Sequence, residues 1–371
     1  MQRTIILAAG LGLAASSWGC SSSPANAGSD TDGPSSGPGE TMNPGSDSDP
    51  DSDSDSDSDS DTDDDSGSST GDGPQGLPED APTLIELLAD SGFDDASAIA
   101  AAPDGSEFYF AAYDETGAPA IFAVDLAGDV RVLHAGAPLA YPTDITVTCD
   151  GGTLLVSDVG GASSIDATQA FEESQEESLG GIFTLSPRGG APQPFSASGV
   201  ARAAGVIVSV DCEDLYVSGY DAEGVPAVFT APVEGGAATV LHQGAPLVAP
   251  TGIHVDANNV AWVMDHHARA QSGAEGILWA IDESGDVQEV VAGLGMGRHG
   301  GVSLAPGGVT AIIPVSDDLG GSRLVTANTE DGGMDRVDTA EILEPSGIAA
   351  ARNAPVMAIA AETAIYLATY E

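Results

Sequence analysis

Residues 132–145, VLHAGAPLAYPTDI, return as VLHQGAPLVAPTGI at 240–253, 108 residues further along the chain. Two near-copies of such a phrase mean a repeat array, and an array constrains the fold before any residue is given a role. Each unit of an array is a small piece of secondary structure that cannot bury its own apolar face. Neighbouring units must stack to make a core. A residue that recurs with the unit therefore builds the unit, and a functional residue is sought where the copies differ.

The texture between residues 81 and 371 identifies the unit. Short apolar runs alternate with Asp-Gly, Gly-Gly and Pro-Asp turns, and no long helical period is visible, so the segment reads as many short strands. Three strand phrases recur in fixed order. The first holds Ser97-Ala98-Ile99, Thr143-Asp144-Ile145, Ala204-Gly205-Val206, Thr251-Gly252-Ile253, Gly300-Gly301-Val302 and Ser346-Gly347-Ile348. The second covers 107–113, 153–158, 215–219, 260–265, 310–315 and 355–361. The third carries an aliphatic–bulky pair at Ile121-Phe122, Ile182-Phe183, Val228-Phe229, Leu278-Trp279, Leu324-Val325 and Ile365-Tyr366, with the bulky positions 41 to 61 residues apart. This is the spacing of blades in a β-propeller. The sixth unit stops after its third strand. Residues 82–88, PTLIELL, have the character of the missing fourth strand, and pairing them beside Ile365-Tyr366-Leu367 closes the ring and protects its edges. The expected fold is all-β: a six-bladed β-propeller closed by an N-terminal strand. The duplicated phrase is then an outer strand running inward to the next blade, at the joints of blades one and two and of blades three and four.

Units of the form Asp-Gly, Leu-x-Val-x-Asp, Gly-x-Ile-Phe-x-Leu resemble the six-bladed propellers of the NHL and SMP-30/gluconolactonase type over residues 81–371. The resemblance implies the architecture. It leaves activity open, since such blades carry lactonases, dehydrogenases and non-catalytic binding modules.

Two segments precede the array. In residues 1–20, Arg3 is followed by an apolar run from Thr4 to Ala15, shorter than the roughly 20 residues that span a bilayer. It ends at Ser17-Trp18-Gly19-Cys20. This resembles a bacterial lipoprotein signal, which implies lipidation of Cys20, export and anchoring in a membrane. Serine after Cys20 resembles the outer-membrane sorting pattern, which implies an outer-membrane or cell-surface location. Ser17 and Trp18 depart from the usual residues of that signal. Residues 21–80 hold 17 acidic residues, no basic ones and few apolar side chains. Such a segment buries too little to offset chain entropy and reads as a disordered acidic linker. Its Ser-Asp run lacks the Gly and Glu of an EF-hand loop: counted from Asp51, those places hold Ser56 and Thr62.

The chain has 58 acidic residues against nine basic ones, all arginine, for a formal charge of −49. Nucleic acid and anionic lipid surfaces both need a basic footprint, so the expected partners exclude nucleic acid. Contact with the membrane is expected through the lipid anchor, and an envelope protein or cationic ligand is the partner the charge favours. An excess of surface acid without lysine also resembles proteins of saline habitats, a reading that needs no partner.

Candidate chemistry is sparse. An acidic residue closes the second strand in unit after unit: Asp114, Asp158, Asp221, Asp265, Asp317 and, in the last unit, Glu362. This acidic rim reads either as a carboxylate ring for a divalent cation such as calcium or as turn capping, in which Asp accepts nearby backbone N–H groups. SMP-30-like lactonases hold a divalent metal with carboxylates and an Asn at the channel mouth, several of them from first-strand starts. Here that place carries Asp144 in one blade and Ala or Gly in the others. Asp265, His266 and His267, with His299 from the next blade, form a second metal or acid–base candidate set. His134 and His242 belong to the duplicated phrase and read as structural. An insertion between Val159 and Gly180 carries four glutamates over the channel face. Cys149 and Cys212 lie in comparable turns after the first strands of blades two and three, and an exported compartment permits a disulfide between them. The functional expectation is binding or scaffolding at the cell envelope without a defined catalytic activity. A metal-dependent lactonase and a structural spacer are the alternatives.

Overall fold

The computed structural model describes residues 82–160, 179–266, 275–296, 301–316, 322–337 and 342–370. Cys20, the acidic linker, the glutamates of the blade-two insertion, His267, His299 and Asp317 lie outside the described residues.

Among the described residues the secondary structure is all strand, arranged as six four-stranded antiparallel sheets. Blade one is β2 (Asp94–Ala101), β3 (Glu107–Tyr113), β4 (Pro119–Asp125) and β5 (Val130–Ala135). Blade two is β6 (Pro142–Val147), β7 (Leu154–Gly160), β8 (Leu179–Leu185) and β9 (Gln193–Pro194). A two-stranded pair, β10 (Ala197–Ser198) with β14 (Gly236–Ala237), joins the next connections. Blade three is β11 (Arg202–Val208), β12 (Asp214–Tyr220), β13 (Pro226–Pro232) and β15 (Thr239–Gln243); blade four is β16 (Pro250–Val255), β17 (Ala261–Asp265), β18 (Glu275–Ile281) and β19 (Val287–Gly295). Blade five is β20 (Ser303–Leu304), β21 (Thr310–Ser316), β22 (Ser322–Asn328) and β23 (Met334–Arg336). Blade six is β24 (Pro345–Ala350), β25 (Val356–Ala361) and β26 (Ala364–Thr369), completed by β1 (Leu84–Ala89) from the other end of the chain. β1 runs antiparallel to β26 with Glu86 opposite Leu367 and Leu87 opposite Tyr366. This is the six-bladed propeller expected from the repeat, with its N-terminal closing strand.

The core is not one mass. It divides into six apolar clusters, one at each blade interface. Phe93, Phe110 and Phe122 fill the joint of blades six and one, with Phe110 and Phe122 stacked at 5.1 Å and Phe93 edge-on to Phe110 at 4.8 Å. Both faces of a blade are buried, one against each neighbour, so the strands are near-continuously apolar rather than half polar.

The first strands stand side by side around the axis in the order β2, β6, β11, β16, β20, β24 and back to β2. At the starts of β11 and β24 they approach so closely that a side chain is excluded. A Cβ on Gly205 would lie 2.2 Å from the Thr251 carbonyl oxygen, and one on Gly347 would lie 2.7 Å from the Cα of Ala98. Hydroxyls fill the remaining gaps and tie blade to blade. Ser97 donates to the Pro142 carbonyl, Ser157 to Ala204, Ser218 to Thr251 and Ser346 to Ala96.

Candidate functional site

The closing aspartates divide into two kinds. Asp114 sits in an exposed turn and caps it, with Oδ1 accepting from Thr116 N at 2.8 Å and Ala118 N at 3.0 Å. Asp221 caps its turn through Glu223 N and Val225 N, at 2.9 and 2.8 Å, and also accepts from Gln243. Asp158 and Asp265, buried as Asp221 is, do something else: both reach back to the incoming duplicated phrase. Asp158 accepts from Ala140 N at 2.8 Å and Tyr141 N at 3.2 Å, and from Gly160 N at 2.7 Å. Asp265 accepts from the equivalent pair, Val248 N at 2.9 Å and Ala249 N at 2.6 Å, and from Trp279 Nε1 at 3.2 Å.

The duplicated phrase and the closing Asp are thus one device, used twice. Within it, Gly136 and Gly244 turn the chain at φ 80° and 81°, and Leu139 and Leu247 bury the loop in the core. His134 Nε2 bonds the carbonyls of Gly136 and Ala137, and His242 Nε2 bonds that of Ala245, so both imidazoles hold the phrase's own turn. His266 follows Asp265, is buried, and donates its backbone N–H to Ala249 O at 2.9 Å. Asp144 belongs to a different blade from Asp265 and His266, and no group of three His, Cys, Asp or Glu side chains suited to a metal occurs among the described residues.

Cys149 and Cys212 are joined by a disulfide, with Cα atoms 5.9 Å apart. The bond links the turns below blades two and three. In five blades the N–H of the turn's fourth residue returns to the carbonyl of its first, and that fourth residue has positive φ. It is Gly105, Gly151, Cys212, Asn259 and Gly308 in turn. Cys212 therefore occupies, at φ 70°, a place that suits glycine or asparagine.

The axial channel holds what remains. It is a cavity of about 70 Å³ to which all six first strands contribute. Its ionisable side chains among the described residues are Asp144, His254 and Arg352. Asp144 stands near the mouth on β6. Its Oδ1 accepts from Ile145 N and its Oδ2 from Val206 N of the next blade, both at 2.9 Å. Burial pushes its carboxyl up to about 7, against the opposing pull of those two hydrogen bonds. His254 lies two residues deeper on β16, where the other blades carry Ala100, Thr146, Ile207, Ser303 and Ala349. Burial, and then the charge of Arg352, bring its imidazole down to about 4, so the ring is neutral at pH 7.

Arg352 lies at the second position of the blade-six turn, the place of Cys149 in blade two. From there its guanidinium crosses the axis: Nη1 donates to Ser209 O at 3.1 Å and Nη2 to Val208 O. β24 and β11 are three steps apart in a ring of six, so Arg352 is a strut between opposite blades across the floor of the channel. Burial lowers its pKa without neutralising it. Neither His254 nor Arg352 belongs to a repeated phrase. Aligning the six first strands residue by residue exposes His254 as the ionisable exception at its level. Arg352 is visible only as an arginine where other turns carry small or apolar residues.

No family model and no curated protein matches the chain. Solved structures do. A chain of a nidogen/laminin complex is 15% identical with a TM-score of 0.53, over 70% of this chain and 86% of that one. A gluconolactonase from Xanthomonas campestris is 13% identical with a TM-score of 0.54, over 77% and 89%. TolB from Acinetobacter baumannii is 14% identical with a TM-score of 0.50, over 67% of this chain and 56% of that one. At such identities the likeness establishes a shared propeller fold.

Proposed function

We propose that the chain is an exported lipoprotein, anchored through Cys20 at the outer membrane or cell surface, whose propeller binds an envelope component rather than turning over a substrate. The observation that carries the binding reading is the use of the closing carboxylates. A metal-dependent lactonase needs acidic side chains at the channel mouth that are free to take a cation. Here Asp158, Asp221 and Asp265 are engaged by backbone and side-chain donors that hold the blades. The first-strand starts are mostly glycine, and for Gly205, Gly301 and Gly347 a side chain there would strike a neighbouring blade. The net charge of −49 favours a partner with basic groups at its contact surface.

The anchor is tested by labelling cells with palmitate: wild type incorporates label and Cys20→Ser does not. Label-free wild type removes the anchor from the proposal. Binding is tested by capture from envelope extract at low and high salt, and partner retention should fall steeply as salt rises. The hydrolase reading rests on Asp144, a channel-mouth carboxyl held near neutrality. Hydrolysis of lactones by the purified chain, dependent on added Ca²⁺ or Zn²⁺ and lost in Asp144→Asn, would replace the binding reading with an enzymatic one.

A further inference from the structure

The channel presents a positive charge without its counterpart. Arg352 is half-buried on the channel floor, and among the described residues it forms no ion pair. Its guanidinium has five N–H donors. Two are spent on the carbonyls of Val208 and Ser209, which leaves three for other acceptors. The same cavity wall carries His254, and no side-chain acceptor for its ring is found among the described residues. A neutral imidazole keeps one N–H donor. Asp144, the remaining ionisable group lining the channel among the described residues, is spent near the mouth on two backbone N–H groups. Its Oδ2 is held by Val206 N, and the guanidinium of Arg352 bonds Val208 O and Ser209 O two and three residues further along the same strand, about 7–10 Å deeper at ~3.3 Å per residue. The floor therefore has donors and a cation, and the acid lies nearer the mouth.

From this arrangement we infer that the propeller channel is a binding site for a small monovalent anion, of halide or short-carboxylate size, held by Arg352 and His254. The volume sets the size class. About 70 Å³ accommodates several waters or one small anion. Partial enclosure adds to the strength, since a charge-assisted hydrogen bond beside a low-dielectric wall is worth more than on an open surface. The anion would complete the strut: it neutralises the cation that ties opposite blades and replaces the acceptors that Arg352 lacks. The inference stands apart from envelope binding, and either can fail alone.

The test uses the purified full chain at fixed ionic strength, with sodium formate, sodium chloride and, as the oversized probe, sodium gluconate. The His254 ring is followed by NMR. An anion beside it stabilises the imidazolium, so its titration should move from about 4 to higher pH, saturably, with formate, chloride or both. The more effective anion identifies the natural class. Arg352→Gln loses the charge and, ending two bonds short of Nη2, the contact with the Val208 carbonyl as well, and affinity should fall about tenfold or more. The inference is overturned if neither small anion moves His254, if gluconate does so equally, or if Arg352→Gln leaves the affinity unchanged. Should that variant not fold, the wild-type titration decides alone, because an anion bound elsewhere leaves His254 where it was.

Discussion

Asp265 offers a direct measure of how much stability the blade joints carry. Its carboxylate is fully enclosed and, among the described residues, accepts hydrogen bonds from Val248 N, Ala249 N and Trp279 Nε1. Asp265→Ala removes every acceptor at once and leaves three donors facing a small void. A buried donor without an acceptor costs about 1–3 kcal/mol, and three of them, partly relieved by a water entering the void, should cost about 3–6 kcal/mol. Asp265→Asn keeps one acceptor oxygen but turns an amide NH₂ toward an N–H, so about 2–4 kcal/mol is expected. The measurement is urea unfolding with the slope held as a check on two-state behaviour. Asp114→Asn is the control: it caps an exposed turn and should leave the midpoint nearly unmoved. Asp158 performs the same task in a distant blade, so the costs of Asp158→Asn and Asp265→Asn should add to within about 0.5 kcal/mol. A midpoint for Asp265→Asn within about 0.5 kcal/mol of wild type would refute the joint account. A calcium-dependent loss in that variant would mean that the carboxylate serves a cation instead.

Two further outcomes follow from the channel and its floor. The disulfide closes a separation of 63 residues. By loop entropy, its removal in Cys149→Ser should cost about 4 kcal/mol. Cys212→Gly should cost about 1 kcal/mol less, because glycine adopts the left-handed backbone that cysteine adopts there at a penalty. Equal midpoints for the two variants would exclude that difference. The second concerns pH. Asp144 titrates in the folded chain near 7, above its unfolded value, so its contribution to stability is full at low pH and is lost as pH rises through about 4 to 7. His254 titrates near 4, below its unfolded value, so the folded state gains stability as pH rises from about 4 to 6.5. The two slopes oppose each other in wild type. Relative to wild type, Asp144→Asn should tilt the midpoint upward with pH across that window, and His254→Gln should tilt it downward. Slopes of the opposite sign would reverse the assignments.

The propeller was legible because its grammar is repeated six times. The aliphatic–bulky pairs from Ile121-Phe122 to Ile365-Tyr366 all lie on third strands, and the orphan run at 82–88 is the closing strand, displaced by a residue or two. The role of the acids was open on sequence alone, because Asp capping a turn and Asp facing a cation have the same composition. What separates them is the pairing of Asp158 and Asp265 with backbone donors about seventeen residues earlier. That distance is set by the path of a loop, not by a motif. Glycines at the first-strand starts looked like missing ligands. Their cause is steric, since neighbouring backbones approach at Gly205 and Gly347 to a distance that admits no Cβ. Arg352 and His254 carry no repeated signal in the sequence, for the converse reason. Each occurs once, from different blades, and a residue without repetition gains meaning only when the ring brings β24, β11 and β16 around one axis.

The closing strand has a consequence for how the chain is made. β1 is synthesised before any blade, and its partner β26 comes last, with Leu84 pairing to Thr369. Joining ends so far apart in an unfolded chain would cost roughly 5 kcal/mol of loop entropy. Stacking the first five blades brings those ends together beforehand, so ring closure is a late step and the first strand waits for the last. Until then blade six offers an unpaired edge and β1 is a strand without a sheet. In a crowded refolding mixture the nearest suitable edge belongs to another copy. The strand that seals a propeller from within is then also the element by which two of them exchange arms.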